Sequence, residues 1–171
     1  RVCGWLRPEY ERVLSRIRAV DVVYVDETGA KGDGVLHWTW GFTTQSETLV
    51  AVRKSRGKRV LEDILGEGFD GVIVCDGWGS YPSFTKRIQR DWTHILREAD
   101  WLAERVEEAM SLQRALRRLY VDLKASLLGD PPPRVRLRLR RNAGRRLRYW
   151  LDRGYGCEEM ARFVQKVWDG L

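Results

Sequence analysis

The chain contains 171 residues, of which 43% are hydrophobic and 32% are charged, and its formal net charge is +7. This length and apolar content suit one domain, or one domain with an appendage, that buries a core. The sequence shows no signal peptide and no run of about 20 apolar residues, so we expect a soluble cytoplasmic protein without membrane contact. Its three cysteines form no CxxC pair and it has only two histidines, which argues against a structural zinc site.

The positive charge is local rather than spread along the chain. Eight arginines and no acid lie between Pro131 and Trp150, and the remainder carries 23 basic and 24 acidic residues. Residues 53–59 hold five further basic residues. Such concentrated charge is typical of polyanion binding, although a solvated surface loop is an equal alternative for residues 53–59. The candidate phosphate-binding residues are Arg53, Lys54, Arg56, Lys58, Arg59, Arg134, Arg136, Arg138, Arg140, Arg141, Arg145, Arg146 and Arg148.

The first part of the chain predicts a helix followed by three strands. Apolar residues at three- and four-residue steps predict an amphipathic helix over Pro8–Val20. The β-branched run over residues 21–29 predicts a strand, with a three-glycine turn over residues 28–34. Two more strands are expected at Val35–Phe42 and Thr48–Val52, joined by a short polar connection. Together these strands predict an antiparallel meander.

A crossover follows the meander. A short helix through Val60–Leu65 ends at Gly66 and leads into a strand over residues 71–75. Because the connection passes through a helix, this strand is expected to be parallel to an earlier one. Residues 88–92 predict a brief edge strand.

The remainder of the chain predicts helices. Residues 93–128 are too long for one ordinary helix, so we expect a break near Ser111. The Gly129–Pro133 stretch ends this region. Alternation over residues 134–141 by itself predicts a strand, but its isolation after a proline run favours a helix. A last helix is expected over Glu158–Trp168.

Two aspartates, Asp26 and Asp76, each end a run of strand-forming residues, and each precedes a glycine at which the chain is expected to leave the sheet. Near-continuous apolar runs of this kind suit strands that are buried on both faces. In open α/β sheets the functional crevice lies outside the carboxyl ends of the strands, so parallel neighbours would place both carboxylates in one crevice. Two carboxylates about 4 Å apart repel by about 4 kcal/mol at an effective dielectric near 20, and a divalent cation turns that cost into attraction. The pair is therefore a candidate metal-dependent active site.

Structural roles remain open for these residues and for others. Acids at strand ends often begin a turn or cap the following helix. His37 is either a ligand or base or, more simply, a partly buried histidine among tryptophans. The aromatic residues of Gly77–Pro82 can stack on a base or close the end of the core, and Cys75 is expected to be a buried thiol.

Five short motifs occur in a characteristic order. Residues 25–28 read Val-Asp-Glu-Thr, and residues 37–44 read His-Trp-Thr-Trp-Gly-Phe-Thr-Thr. Residues 55–61 read Ser-Arg-Gly-Lys-Arg-Val-Leu, and residues 75–81 read Cys-Asp-Gly-Trp-Gly-Ser-Tyr. Residues 89–97 read Gln-Arg-Asp-Trp-Thr-His-Ile-Leu-Arg. In these motifs the sequence resembles the transposases of insertion sequence sixty-six, a family within the DDE group.

The resemblance is close over Val20–Glu104 and implies a ribonuclease H-like α/β fold. Such a fold has a mixed sheet with three antiparallel strands, a parallel strand after a crossover helix, and a helical insertion. The implied activity is DNA strand cleavage and transfer with two Mg²⁺ (or Mn²⁺) ions. Asp26 would bridge both ions and Asp76 would hold one. His94 is either an accessory residue or an ordinary histidine at a helix N-terminus.

The implied partner is double-stranded DNA, both transposon ends and target, contacted by the basic residues named above in a nucleoid-associated protein. The sequence departs from the family at the third acid, a glutamate in an Asn-Asn-x-Ala-Glu-Arg stretch, because it contains no such stretch. We therefore expect a chain that stops before its third ligand, with a second protein chain or a homo-oligomer as a further partner.

Three segments are expected: a leading helix over residues 1–20, a ribonuclease H-like core over 21–105, and a helical insertion over 106–171 that includes the arginine-rich segment 134–148. The leading hypothesis is a transposase catalytic domain. The alternatives are a non-catalytic DNA-binding remnant of a transposase and a ribonuclease H-like nuclease that never transposes.

Overall fold

The structure, a computed structural model, describes residues 4–170. Contacts between residues divide the chain into two compact units, of which the first ends at Asp91 and the second begins at Trp92. The segment bounds expected from the sequence remain predictions.

Within residues 4–91, five strands form one mixed sheet in the order β3-β2-β1-β4-β5. The strands are β1 (Val22–Gly32), β2 (Val35–Thr43), β3 (Thr48–Arg53), β4 (Val72–Cys75) and β5 (Ile88–Arg90), and the helices are α1 (Arg7–Arg18), α2 (Arg59–Leu65) and α3 (Ser80–Phe84). The first three strands pair antiparallel, whereas β4 pairs parallel with β1 and β5 pairs parallel with β4. The ribonuclease H-like sheet with its crossover helix is confirmed.

The hairpin between β1 and β2 is tighter than the sequence analysis predicted. β1 continues through the glycines to Gly32, which pairs with Val35. The turn expected over residues 28–34 therefore contains only Asp33 and Gly34, with φ values of 51° and 76°. Positive φ at both central positions is the type I′ turn, whose twist matches that of antiparallel strands. The interpretation that the chain leaves the sheet just after Asp26 is thus wrong.

Only one face of β1 is buried. Val23 and Val25 are at most 2% exposed and pack in a core with side chains of α1 and α2. Val22 and Tyr24, on the opposite face, are 42% and 53% exposed. The expectation of burial on both faces is wrong for this strand. The helices that share its core pack against the face that carries Val23 and Val25, and the opposite face stays exposed.

Trp40 on β2 is the largest fully buried side chain of this core. We expect Trp40→Ala to lower the free energy of unfolding by about 3–5 kcal/mol, since truncating a buried aromatic leaves a cavity. Trp5→Ala is the matched control, because Trp5 is 80% exposed and the same truncation there is expected to change stability by less than about 0.5 kcal/mol. Urea unfolding of the full chain measures both, and equal losses would contradict the assigned core.

The second unit contains helices between residues 92 and 170. They are α4 (Trp92–Ala103), α5 (Ala109–Leu127), α6 (Pro133–Asp152) and α7 (Glu158–Asp169). The expected helix break is present, and it lies at residues 104–108, between α4 and α5 and a few residues before Ser111. Val106, in the connection, packs against the core of this unit and so continues the apolar spacing across the break. None of the helices in residues 4–170 has the length and apolarity needed to cross a bilayer.

The arginine-rich segment is helical, as predicted, in α6. Pro133 occupies its first turn, where a missing N–H costs nothing. Val135, Leu139, Ala143 and Leu147 recur at four-residue steps and are half-buried or buried. This period fits one face of a helix and explains why the local strand-like alternation does not prevail.

Candidate active site

Asp26 and Asp76 lie at the same level of two neighbouring parallel strands. The pairing of β1 with β4 ends at Tyr24 opposite Val74, and two further residues along each chain reach Asp26 and Asp76. Asp26 is exposed, and its Oδ1 accepts a hydrogen bond from the Glu27 N–H at 3.0 Å. The sheet register thus brings the two predicted residues to one end of β4.

The backbone after β4 holds Asp76 in place. Arg90, which is 6% exposed, donates from Nε and Nη2 to the Asp76 carbonyl at 3.2 and 3.1 Å. The Trp78 N–H donates to Asp76 Oδ1 at 2.7 Å. Gly77 between them has φ 84°, and a Cβ there would lie 2.7 Å from Arg90 Nε. This turn therefore requires glycine.

We expect Gly77→Ala to lower the free energy of unfolding by about 1–3 kcal/mol, because alanine is strained at positive φ and its methyl group meets Arg90. Gly79→Ala is the control, since a Cβ at Gly79 meets nothing within 4 Å. Urea unfolding compares the two variants with the parent. Equal stability of the two variants would contradict the described turn.

A guanidinium joins Asp76 to a buried glutamate. Arg56 donates from Nε to Glu27 Oε1 at 2.7 Å and from Nη2 to Asp76 Oδ2 at 3.2 Å. The Tyr81 hydroxyl donates a short hydrogen bond to Glu27 Oε2. The Glu27 side chain is 0% exposed, whereas the side chains of Arg56 and Asp76 are 25% and 20% exposed. Asp76 is thus connected through Arg56 to a carboxylate inside the core.

Burial dominates the titration of this network. It raises the pKa of Glu27 above its ordinary value, against the hydrogen bonds from Tyr81 and Arg56, which lower that pKa. Burial also raises the pKa of Tyr81, so its hydroxyl remains a donor at neutral pH. The prediction of a buried thiol at Cys75 is confirmed: it is 1% exposed, and burial raises its pKa to about 12.

Two tryptophans clamp Arg56. Its Cζ lies 4.8 Å from the ring centroid of Trp38 and 4.2 Å from that of Trp78, distances at which a ring face attracts a cation. The Ser80 hydroxyl donates to the Arg56 carbonyl at 2.8 Å. Of the aromatic residues whose role was open, Trp78 covers Arg56, and Tyr81 is fully buried and closes the core. Arg56, a predicted phosphate-binding residue, is engaged here with two carboxylates.

The two histidines belong to different compact units of the chain. His37 is half-buried on β2, with Nδ1 3.1 Å from the Val35 carbonyl oxygen, which fits the structural interpretation. His94 lies on α4 in the second unit, and its accessory role remains a prediction.

An arginine stripe lines an open groove of about 970 Å³ in the second unit. The arginines of the groove follow three- and four-residue steps along α6, which confine them to a stripe about 80° wide on the helix. All are exposed, and the guanidinium of Arg148 lies 5.5 Å from the ring of Trp168 on α7. The groove arginines are Arg134, Arg138, Arg141, Arg145 and Arg148.

The donor chemistry of Asp26 and Asp76 fits a magnesium site. Mg²⁺ takes oxygen ligands and is commonly held by one or two carboxylates together with waters and substrate phosphates. Within residues 4–170, however, no three His, Cys, Asp or Glu side chains group closely enough to hold a metal ion. Asp26 and Asp76 therefore remain candidate ligands, and among the described residues they belong to no metal-sized cluster of three such side chains.

Sequence reasoning did not identify Glu27 as part of the site. Glu27 continues the buried face of β1 two residues after Val25, and a carboxylate on a buried face requires a partner. The alternation of exposed and buried residues along β1 was therefore the sequence feature that could have identified Glu27. The partner, Arg56, is 29 residues away, and no local pattern indicates that pairing.

Searches among curated proteins and among solved structures found no match to this chain. A comparison with protein families matched residues 1–154 with the family described as Transposase IS66 family. The match covers both predicted aspartates, the Arg56 network and α6. The chain belongs to this family of DDE transposases.

Proposed function

We propose that this chain is a transposase catalytic domain that cleaves and transfers DNA strands when an insertion sequence moves. The observation that carries the proposal is the placement of Asp26 and Asp76 at one level of adjacent parallel strands. Membership in the family supplies the reaction class.

In this proposal Asp26 and Asp76 would hold two Mg²⁺ (or Mn²⁺) ions. The chemistry that such ions supply is activation of the attacking water or DNA 3′ hydroxyl and stabilisation of the leaving oxygen. The hydrogen bond from the Trp78 N–H to Asp76 Oδ1 orients that carboxylate. His94 is proposed as an accessory residue.

The proposed partner is double-stranded DNA, comprising transposon ends and target. The arginines of α6 and the exposed basic residues of segment 53–59 are proposed to contact its phosphates, because dense positive charge binds the DNA backbone without reading sequence. A second protein chain is a proposed source of the third carboxylate, and a homo-oligomer is a further proposed partner.

A second candidate function is a non-catalytic DNA-binding remnant. It is favoured by the lack, within residues 4–170, of any metal-sized cluster of three His, Cys, Asp or Glu side chains. In that case the arginines of α6 would carry the function and the two aspartates would be idle.

Incubation of the full chain with a labelled DNA duplex and a plasmid target, with Mg²⁺ or Mn²⁺, separates these functions. We expect metal-dependent strand cleavage that EDTA prevents, followed by joining to the target. Binding without cleavage in either metal would contradict the proposal and favour the remnant. Cleavage without joining would instead indicate a ribonuclease H-like nuclease.

A further inference from the structure

We propose that Glu27 is a positioning residue that cancels the charge of Arg56, so that Asp76 remains able to bind a divalent cation. The inference rests on the proposed function, because it takes Asp76 as a metal-binding carboxylate. It assigns to Glu27 and Arg56 a joint role that neither residue would have alone.

Arg56 is fixed by its surroundings. Its guanidinium lies between the rings of Trp38 and Trp78, and its Nε donates to the fully buried Glu27. Its backbone carbonyl accepts a hydrogen bond from Ser80. A side chain held on several sides stays beside Asp76, and its Nη2 fixes the direction of Asp76 Oδ2 at 3.2 Å.

An arginine at this position also has a cost for cation binding. A guanidinium within hydrogen-bond distance of a carboxylate repels a divalent ion that approaches the same carboxylate. Glu27, whose Oε1 lies 2.7 Å from Arg56 Nε, makes the two side chains a neutral pair. The pair can therefore orient Asp76 without adding net positive charge to the site.

Stability alone does not account for this arrangement. Replacing a buried ion pair with well-packed apolar residues is often neutral or stabilising, because burying charge is costly. Here the second oxygen of Glu27 is also satisfied, by the Tyr81 hydroxyl. Glu27 is thus a buried carboxylate with both oxygens hydrogen-bonded, and it is well placed to compensate the positive charge of Arg56.

The test is a calorimetric Mn²⁺ titration of the parent chain and three variants: Glu27→Gln, the double variant Glu27→Gln/Arg56→Gln, and Glu62→Gln. Glu27→Gln keeps an acceptor for Arg56 but leaves its charge uncompensated, so we expect Mn²⁺ affinity to fall at least about tenfold. The double variant removes both charges and is expected to regain affinity to within about threefold of the parent. Glu62→Gln removes one carboxylate from an ion pair with Lys58 and is expected to change affinity less than twofold.

The outcomes separate this inference from the proposed function. An unchanged affinity in Glu27→Gln, with the parent binding Mn²⁺, would overturn the inference alone. Equal weakening in Glu27→Gln and the double variant would also overturn it, because Glu27 would then act as a metal ligand and not by compensating the charge of Arg56. A parent that does not bind Mn²⁺ would overturn both.

Thermal melting of each variant verifies folding before titration. If Glu27→Gln does not fold, Arg56→Gln replaces it: charge compensation predicts tighter Mn²⁺ binding in Arg56→Gln than in the double variant, because Glu27 then keeps an uncompensated negative charge. Equal binding by these two variants would overturn the inference. A purely structural role would change the melting temperature without changing Mn²⁺ affinity.

Discussion

Asp26→Asn and Asp76→Asn should each abolish metal-dependent DNA cleavage while leaving DNA affinity within about twofold of the parent. Asparagine keeps the size of the side chain but removes the charge that attracts a divalent cation. Mutating a residue that only hydrogen-bonds to a metal ligand already lowers metal affinity or activity about 10–100-fold. Loss of a ligand itself is therefore expected to lower activity at least about 100-fold. DNA affinity is expected to persist because arginine contacts with phosphates supply it. Gel assays of cleavage and fluorescence anisotropy of DNA binding measure the two effects.

Asp21→Asn is the matched control for these variants. Asp21 is an exposed acid just before β1, and its backbone carbonyl, which accepts the Val72 N–H at 2.8 Å, is unaffected by the change. We expect Asp21→Asn to cleave DNA at the rate of the parent. Cleavage that survives in Asp26→Asn or Asp76→Asn would exclude that residue from the metal site.

Replacing the five groove arginines of α6 with glutamine should weaken DNA binding about 10²–10³-fold at physiological salt. Each phosphate contact contributes about −0.9 to the slope of log affinity against log salt, so the slope should become shallower by about 4.5. The arginines span 15 residues of one helix, a rise of about 21 Å, enough to follow several successive phosphates. Anisotropy titrations at several salt concentrations measure affinity and slope together.

The control for the arginine variant changes the net charge equally at other exposed positions. Its five glutamine substitutions replace Arg7, Arg97, Arg105, Arg114 and Arg118. If overall charge alone attracted DNA, both variants would lose affinity equally, and the groove would not be the binding surface. We expect the control to retain most of the affinity and most of the slope.

Local sequence patterns accounted for most of the fold because they act over a few residues. The β-branched runs before Asp26 and Asp76, and the apolar spacing of α1, were sufficient to place those elements. The Asp33-Gly34 pair also carried a hairpin signal, but the surrounding glycines obscured it. Burial on one face of β1 was not predictable, because it depends on where distant helices pack.

The candidate site was predicted in part for the same reason. Asp26 and Asp76 follow from the β-branched runs that precede them and from the parallel crossover, which the sequence pattern indicates. The link from Asp76 through Arg56 to Glu27 joins three separate segments of the chain. Only the folded sheet brings these segments together, so Arg56 was interpreted from its basic neighbours as a phosphate contact.

The most direct measurement of the central claim is a calorimetric Mn²⁺ titration of the parent chain against the Asp26→Asn/Asp76→Asn double variant. Both proteins should show the same melting profile beforehand, so that a difference in heat reports the site and not the fold. We expect saturable Mn²⁺ binding in the parent and none in the double variant. Equal binding by both proteins, or no binding by the parent, would contradict a metal site built on these two aspartates.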